Sequence, residues 1–414
     1  MSGSTSRPRT AMLVVALTFF LLTSVSPQSP AIDGTINQSI TSQENPSYWP
    51  IDGWRYSTPD EQGMDNDTLN AMMDLIEEQE YPIHSVLVIR HGYAVYERYP
   101  HEYYPPGHLK LLHSVTKSFA STLIGIAIQQ GLLGGVDETV LSFFPEYTIV
   151  NPDPRKDAMT IEDLLTMTSG IDWNEWAYPY EYGVGNPLMD MMQSPDAVQY
   201  VLDRNMSHTP GEHWDYNGGA SLLLGAIVQQ VSNMSMNDFA QQYLFDPLGF
   251  GFTTWYMTSG GWYNTFGGLR ASTRDIAKLG FLYLNNGTWN GTQILPSDFV
   301  LNTITPIDIA NPLGPDFGYG WHWWMRSDLG IYFAYGRHGQ KIMIAPEHDL
   351  VVAFTAGVPD DGYDPEFDLF RDFILEALDE VPEPDSLPVL EILTASGIGI
   401  VAIAAVVWNR RRHT

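Results

Sequence analysis

The 414-residue chain contains no cysteine, which excludes disulfides, thiolate metal sites and a cysteine nucleophile. Positive charge is scarce too: 20 Lys and Arg stand against 49 Asp and Glu. Arg7, Arg9, Arg410, Arg411 and Arg412 belong to the two ends, so the body is more acidic still. Such a surface repels nucleic acid and anionic headgroups, and nucleic acid is not an expected partner. Lysine is the rarest cation, present only as Lys110, Lys117, Lys156, Lys278 and Lys341. Metal-ligand motifs are missing as well. His208 and His213 lie five apart and His348 precedes Asp349, but no H-E-x-x-H or comparable cluster appears, so neither a catalytic metal nor another cofactor is expected.

What is present begins with a globular composition: 44% hydrophobic residues, rich in Trp, Tyr and Phe, in a chain long enough to bury a large core. Both ends point to a membrane. Arg7 and Arg9 precede an apolar run from Ala11 to Leu22 and then Ser24, Ser26 and Ser29, the layout of a secretory signal. Residues 392–408 carry no charge and are followed by Arg410, Arg411 and Arg412; as a helix they span about 25 Å, enough for a short bilayer crossing. Arginines behind such a segment stop transfer and stay on the cytoplasmic side. The expected organisation is therefore a signal peptide or N-terminal anchor over 1–31, a loose arm over 32–50 and a folded domain over 51–380. A Pro-rich spacer over 381–391, a transmembrane helix over 392–409 and a cytoplasmic tail over 410–414 follow. The body would stand outside the cell, tethered to the membrane by its C-terminal helix.

Within the body, residues 84–99 alternate around His91-Gly92 as a β-hairpin does. Helical periodicity broken by Gly and Pro loops dominates roughly 130–300. Residues 317–324, 330–335, 341–345 and 350–355 read as short strands, and 365–378 as an amphipathic helix. Early and late strands can share one sheet, with a mostly helical lobe beside it. Trp321, Trp323 and Trp324 read as packing residues, of which one ring can floor a cleft.

Ser114 and Lys117 stand three apart at the head of an apolar run, so a helix places hydroxyl and amine on one face, a turn apart. By itself the pair also fits a helix N-cap followed by a solvated charge. More segments bear on it: His113-Ser114-Val115-Thr116-Lys117-Ser118-Phe119, Leu164 to Gly170, Pro210-Gly211 with Tyr216, Gly267-Gly268-Leu269-Arg270 with Asp275 and Leu282 to Gly287, and Arg337-His338-Gly339-Gln340. Together they resemble the serine β-lactamase and penicillin-binding superfamily, in its β-lactamase-related hydrolase and esterase branch, similar to the aminohexanoate-oligomer hydrolases, over roughly residues 50–378.

The resemblance implies an α+β fold of the β-lactamase/transpeptidase type: an antiparallel sheet flanked by helices, plus an all-α lobe, with the site between them. It implies a serine hydrolase acting through an acyl-enzyme. Ser114 would be the nucleophile and Lys117 its base, provided burial lowers the amine's pKa. Tyr216 would exchange protons with Lys117 and the leaving group. The backbone amides of Ser114 and Gln340 would form the oxyanion hole. Asn217, Gly218, Arg337, His338 and Gly339 would contact substrate, with Arg337 able to hold a carboxylate. Family β-lactamases place Asn where this chain has Gly218, which argues against lactam turnover and for an ester or amide. The substrate would be a small molecule or peptide-like. The alternative from another class is a catalytically silent surface protein that keeps the fold for binding or assembly.

Overall fold

A computed structural model describes residues 46, 48–177, 180, 185–309, 314–360 and 363–378. The expected signal, spacer, transmembrane helix and tail lie outside the described residues, as does most of the expected arm. Among the described residues no helix is long and apolar enough to cross a membrane.

The β-branched run Ile83–Arg90 (β1) turns through His91 and Gly92, both at positive φ, into Tyr93–Arg98 (β2). This is the hairpin read from the alternation. The late strands are Phe317–Tyr319 (β3), Trp324–Arg326 (β4), Ile331–Gly336 (β5), Gln340–Ala345 (β6) and Leu350–Ala356 (β7). The single strand expected over 317–324 is thus two strands, because the chain reverses at His322, which sits at φ 62°. All join one seven-stranded sheet in the order β2-β1-β7-β6-β5-β4-β3. Its central seam pairs the earliest and last strands antiparallel, Leu87 opposite Ala353 and Val88 opposite Val352.

Both faces of the sheet are covered, which is why its central strands are apolar throughout rather than alternating. Leu87, Ile89, Ile342, Ile344 and Val351 enter one core; Val86, Val88, Met343, Val352 and Phe354 enter another. The helix Asn66–Glu78 (α1), capped by Asp65 accepting from Thr68 N at 2.8 Å, packs in the second core with the C-terminal helical segment. That segment, expected over 365–378, is helical over 366–375 and widens into π-type turns from Phe370.

On the other face stand Val115–Gln129 (α2), Gly218–Ser232 (α3) and Thr273–Leu284 (α4). α4 lies close on the sheet: a Cβ on Gly280 would come within 2.6 Å of Val351 Cγ1 and 2.8 Å of Ile342 Cγ2. α2 packs on α3 and, through shorter helices, the two build the helical lobe. The lobe is not purely helical. Lys110–Leu111, Leu269–Ala271 and Thr254–Trp255 form a small three-stranded sheet beside the start of α2.

Candidate active site

The approach to α2 is a sharp turn. His113 takes a left-handed φ of 48°, uncommon for a residue with a Cβ, and Ser114 at φ −67° begins the helix. The Ser114 side chain makes no capping hydrogen bond. It points to Lys117 instead, with Oγ and Nζ 3.2 Å apart. Ser114 N donates to no backbone acceptor among the described residues. Two further hydrogen bonds that hold this turn come from far along the chain. Leu112 N donates to Leu269 O at 2.9 Å and Leu269 N to Thr116 Oγ1 at 3.2 Å. The Gly267–Arg270 block therefore runs along the Ser114 turn.

Lys117 is 3% exposed. Its ammonium protons meet neutral oxygens, Ser114 Oγ and Phe266 O at 2.8 Å, and no carboxylate lies in ion-pair reach among the described residues. Burial without a countercharge disfavours the cation and pulls the pKa down to about 8, against an opposing pull from Glu175. The Tyr216 ring lies 4.6 Å from Nζ. Trp176 stacks on that ring at 5.0 Å and Trp324 faces it at 6.1 Å. Burial and the Glu175 charge push the phenol well above its usual pKa, with a hydrogen-bonding interaction from Ser114 working the other way. At neutral pH the phenol keeps its proton, and the amine reaches its neutral form as the pH rises through about 8.

Glu175 is the residue that sequence reasoning missed. Its carboxylate is 1% exposed and accepts from Gly218 N at 2.7 Å, Trp173 Nε1 at 2.7 Å and Tyr180 OH at 3.1 Å. It lies against Gly218, the position where the resemblance implies an asparagine. A Cβ on Gly218 would press on the end of Leu188 and sit 3.1 Å from Glu175 Oε2, so a side chain at 218 would have to displace Leu188. Nothing in the spacing of Asp172-Trp173-Asn174-Glu175-Trp176 separates this glutamate from the chain's other acids.

Ser114, Lys117, Glu175 and Tyr216 share one cleft of about 820 Å³, whose walls are otherwise largely apolar and include Leu188 and Met192. A buried helix-borne Ser-x-x-Lys pair beside a tyrosine has the parts for acyl transfer. The beta-lactamase family model matches residues 67–369, enclosing all four side chains. The chain belongs to the beta-lactamase family.

Its relatives agree. It is 27% identical over 301 residues to an uncharacterized protein of Alkalihalophilus pseudofirmus, covering 64% of this chain and 80% of that one. It is 22% identical over 334 residues to the 6-aminohexanoate-dimer hydrolase of Paenarthrobacter ureafaciens, covering 73% and 80%. The fold is similar to that of the octameric penicillin-binding protein homologue from Pyrococcus abyssi, with a TM-score of 0.61, 20% identity, and 76% and 78% of the two chains covered. The protein is a serine hydrolase of the β-lactamase-related type.

Within this family frame, several side chains expected at the substrate lie elsewhere. Asn217 is fully buried and caps α3, its Oδ1 accepting from Ala220 N at 2.9 Å; it is withdrawn from the cleft because it starts the helix. Gly218 offers only its amide, already taken by Glu175. Gly339, at φ 85°, is required by the β5–β6 turn and by Glu366 pressed against it. His338 donates from Nδ1 to Val358 O at 2.7 Å and packs its ring on His113 at 5.0 Å. Arg337 does line the cleft, but Asp360 engages its guanidinium at two nitrogens. Gln340 opens β6 opposite Gly336, and its side chain knits the turn by donating to His338 O at 3.1 Å and Ala356 O at 2.9 Å. Of the three tryptophans, Trp324 reaches the cleft while Trp321 and Trp323 belong to the core.

Behind Lys117 sits a second unread residue. His322 is 2% exposed, with Nδ1 donating to Leu165 O at 2.9 Å and Nε2 accepting from Ser221 at 2.9 Å. Its own carbonyl accepts from Ser118 Oγ at 2.8 Å. Burial holds this imidazole neutral, its pKa lowered to about 3. Through its ring and its carbonyl, His322 thereby ties α2, α3 and the Leu164–Gly170 block together.

Proposed function

We propose that this hydrolase opens uncharged ester or amide bonds through a Ser114 acyl-enzyme, and that it works outside the cell, exported by 1–31 and held by a helix over 392–409. The observation that carries the chemistry is the 3.2 Å approach of a buried, carboxylate-free Lys117 amine to the Ser114 hydroxyl. In the reaction, Lys117 takes the hydroxyl proton as Oγ attacks the carbonyl carbon. The amides of Ser114 and Gln340 hold the developing oxyanion, a contribution of about 10²–10³ in rate per donor. Tyr216 gives its proton to the leaving oxygen or nitrogen and recovers one from Lys117. Water then repeats the sequence on the acyl-enzyme.

The substrate reading follows from charge and wall. Arg337 is matched by Asp360, so a substrate carboxylate would have to displace that ion pair. The walls include Trp176, Trp324, Leu188 and Met192, which favours apolar acyl groups. Glu175 stabilises the protonated amine after proton transfer, the role left open by the missing asparagine. The similarity to a 6-aminohexanoate-dimer hydrolase supports hydrolysis as the chemistry.

A fluorophosphonate probe tests this directly. One covalent adduct on Ser114, absent from Ser114→Ala, is the expected result. No adduct, or one that survives that substitution, overturns the acyl-enzyme and leaves the binding or assembly role as the better account. Protease shaving of intact cells tests the location: the domain should be released from outside.

A further inference from the structure

Outside the cleft walls, His208, His213 and Asp215 gather on the segment that runs directly into Tyr216. The two imidazoles stack with centroids 4.1 Å apart and planes 28° from parallel. His213 Nε2 lies 3.7 Å from Asp215 Oδ1. One nitrogen of each ring and a carboxylate oxygen all fall within 4.8 Å of one another. The mechanism proposed above uses none of these groups.

We infer that His208, His213 and Asp215 form a binding site for a first-row divalent metal such as Zn²⁺, clamping the 208–215 segment immediately ahead of Tyr216. Bonds of about 2.0–2.2 Å in a tetrahedral shell place ligand atoms about 3.4 Å apart. The set must therefore contract by about an ångström, which rotation about exposed side-chain bonds supplies; His213 and Asp215 have side chains 49% and 37% exposed. The backbone need not move. His208 N donates to Gly170 O at 3.1 Å, Gly211 N to Thr168 O at 2.8 Å and Asp215 N to Met167 O at 2.9 Å, so the turn carrying the ligands is already pinned to the neighbouring block.

The donor set selects the ion. Two imidazoles and one carboxylate suit Zn²⁺, Co²⁺ or Ni²⁺, whereas Mg²⁺ and Ca²⁺ want oxygen ligands. Three protein ligands leave a position for water. Asp172 lies near enough for its charge to act on Asp215, and the formal net charge of −29 draws cations to the surface. His208 could not be matched to His213 and Asp215 from the sequence, because the intervening turn at Pro210-Gly211 brings them together.

Calorimetric titration of the untagged, metal-stripped full chain in detergent tests the site with Zn²⁺ alone, with Mg²⁺ as the comparison. One saturable Zn²⁺ per chain is expected, with affinity falling at least about tenfold in His213→Ala and in Asp215→Asn, and no Mg²⁺ binding at equal concentration. Zn²⁺ should also raise the melting temperature of the parent chain and not of His213→Ala. If His213→Ala fails to fold in the absence of metal, His208→Ala replaces it. Absent saturable binding, or equal affinity in parent and variants, overturns the site and leaves an adventitious ion only. The readout needs no substrate, so it stands or falls separately from the hydrolase reading.

Discussion

Lys117 and Lys341 are both buried, 3% and 0% exposed, yet their surroundings differ in one respect. Lys341, on β6, bonds the carboxyl groups of Asp364 and Glu366 and lies beside the Tyr335 and Phe367 rings at 4.9 and 5.1 Å. Lys117, on α2, meets a hydroxyl and a carbonyl. A buried amine tied to two acidic side chains acts as a structural link. A buried amine among neutral oxygens is poised to release its proton. The residue type and the burial are shared, and the partner decides the role.

Breaking each lysine should therefore break different things. Lys117→Ala and Ser114→Ala are each expected to lower kcat/KM at least about 10⁴-fold, as for paired members of a catalytic set, measured by steady-state ester hydrolysis; a loss below tenfold would put the chemistry elsewhere. Lys341→Ala should leave kcat within a few-fold but remove about 3–5 kcal/mol of stability, since it strands buried carboxylates; urea unfolding gives the value.

Stability against pH sharpens the contrast. The Lys117 pKa is lowered from 10.5 to about 8 in the fold, so between those values the unfolded chain holds a proton that the native chain has released. Stability from this group therefore rises with pH across that window, relieving roughly 3 kcal/mol of strain present below pH 8. Lys117→Met should accordingly be more stable than the parent at pH 7, with the gap closing toward pH 10.5 in urea titrations. A gap that is constant with pH would mean the amine is not desolvated.

Two smaller effects probe the acids of the cleft. The acid limb of kcat/KM should lie near pH 8, where Lys117 becomes neutral. Glu175 opposes that lowering, so Glu175→Gln should move the limb to lower pH, by about one unit. Glutamine can still accept from Gly218 N and Trp173 Nε1 with its oxygen, so an unmoved limb would assign Glu175 to structure alone. Smallest of all, Asp360→Asn should uncover Arg337 and lower KM a few-fold for a carboxylate-bearing ester relative to its neutral analogue. Equal KM changes for both would show that Arg337 does not face substrate.

The parts of this picture legible in the chain were the local ones. The hairpin around Gly92 follows from alternation, and the Ser114–Lys117 approach follows from helix pitch. Glu175 was not legible, because a loop glutamate carries no spacing signal and reaches Gly218 only after Leu188 and the 171–177 segment close over α3. His322 was hidden for the same reason: its partners Leu165, Ser221 and Ser118 are scattered over the helical lobe. Asn217 misled because its neighbour in sequence faces the cleft, while helix capping turns its own side chain inward.

The order of residues alone determined which hydroxyl and which amine share a helix face, and that two strand sets straddle a helical region. Whether the amine at 117 keeps its proton was decided by Phe266, Tyr216 and Glu175, which arrive from well beyond its own helix. Helix geometry is set by neighbours along the chain, whereas desolvation and countercharge depend on whatever the folded core brings alongside.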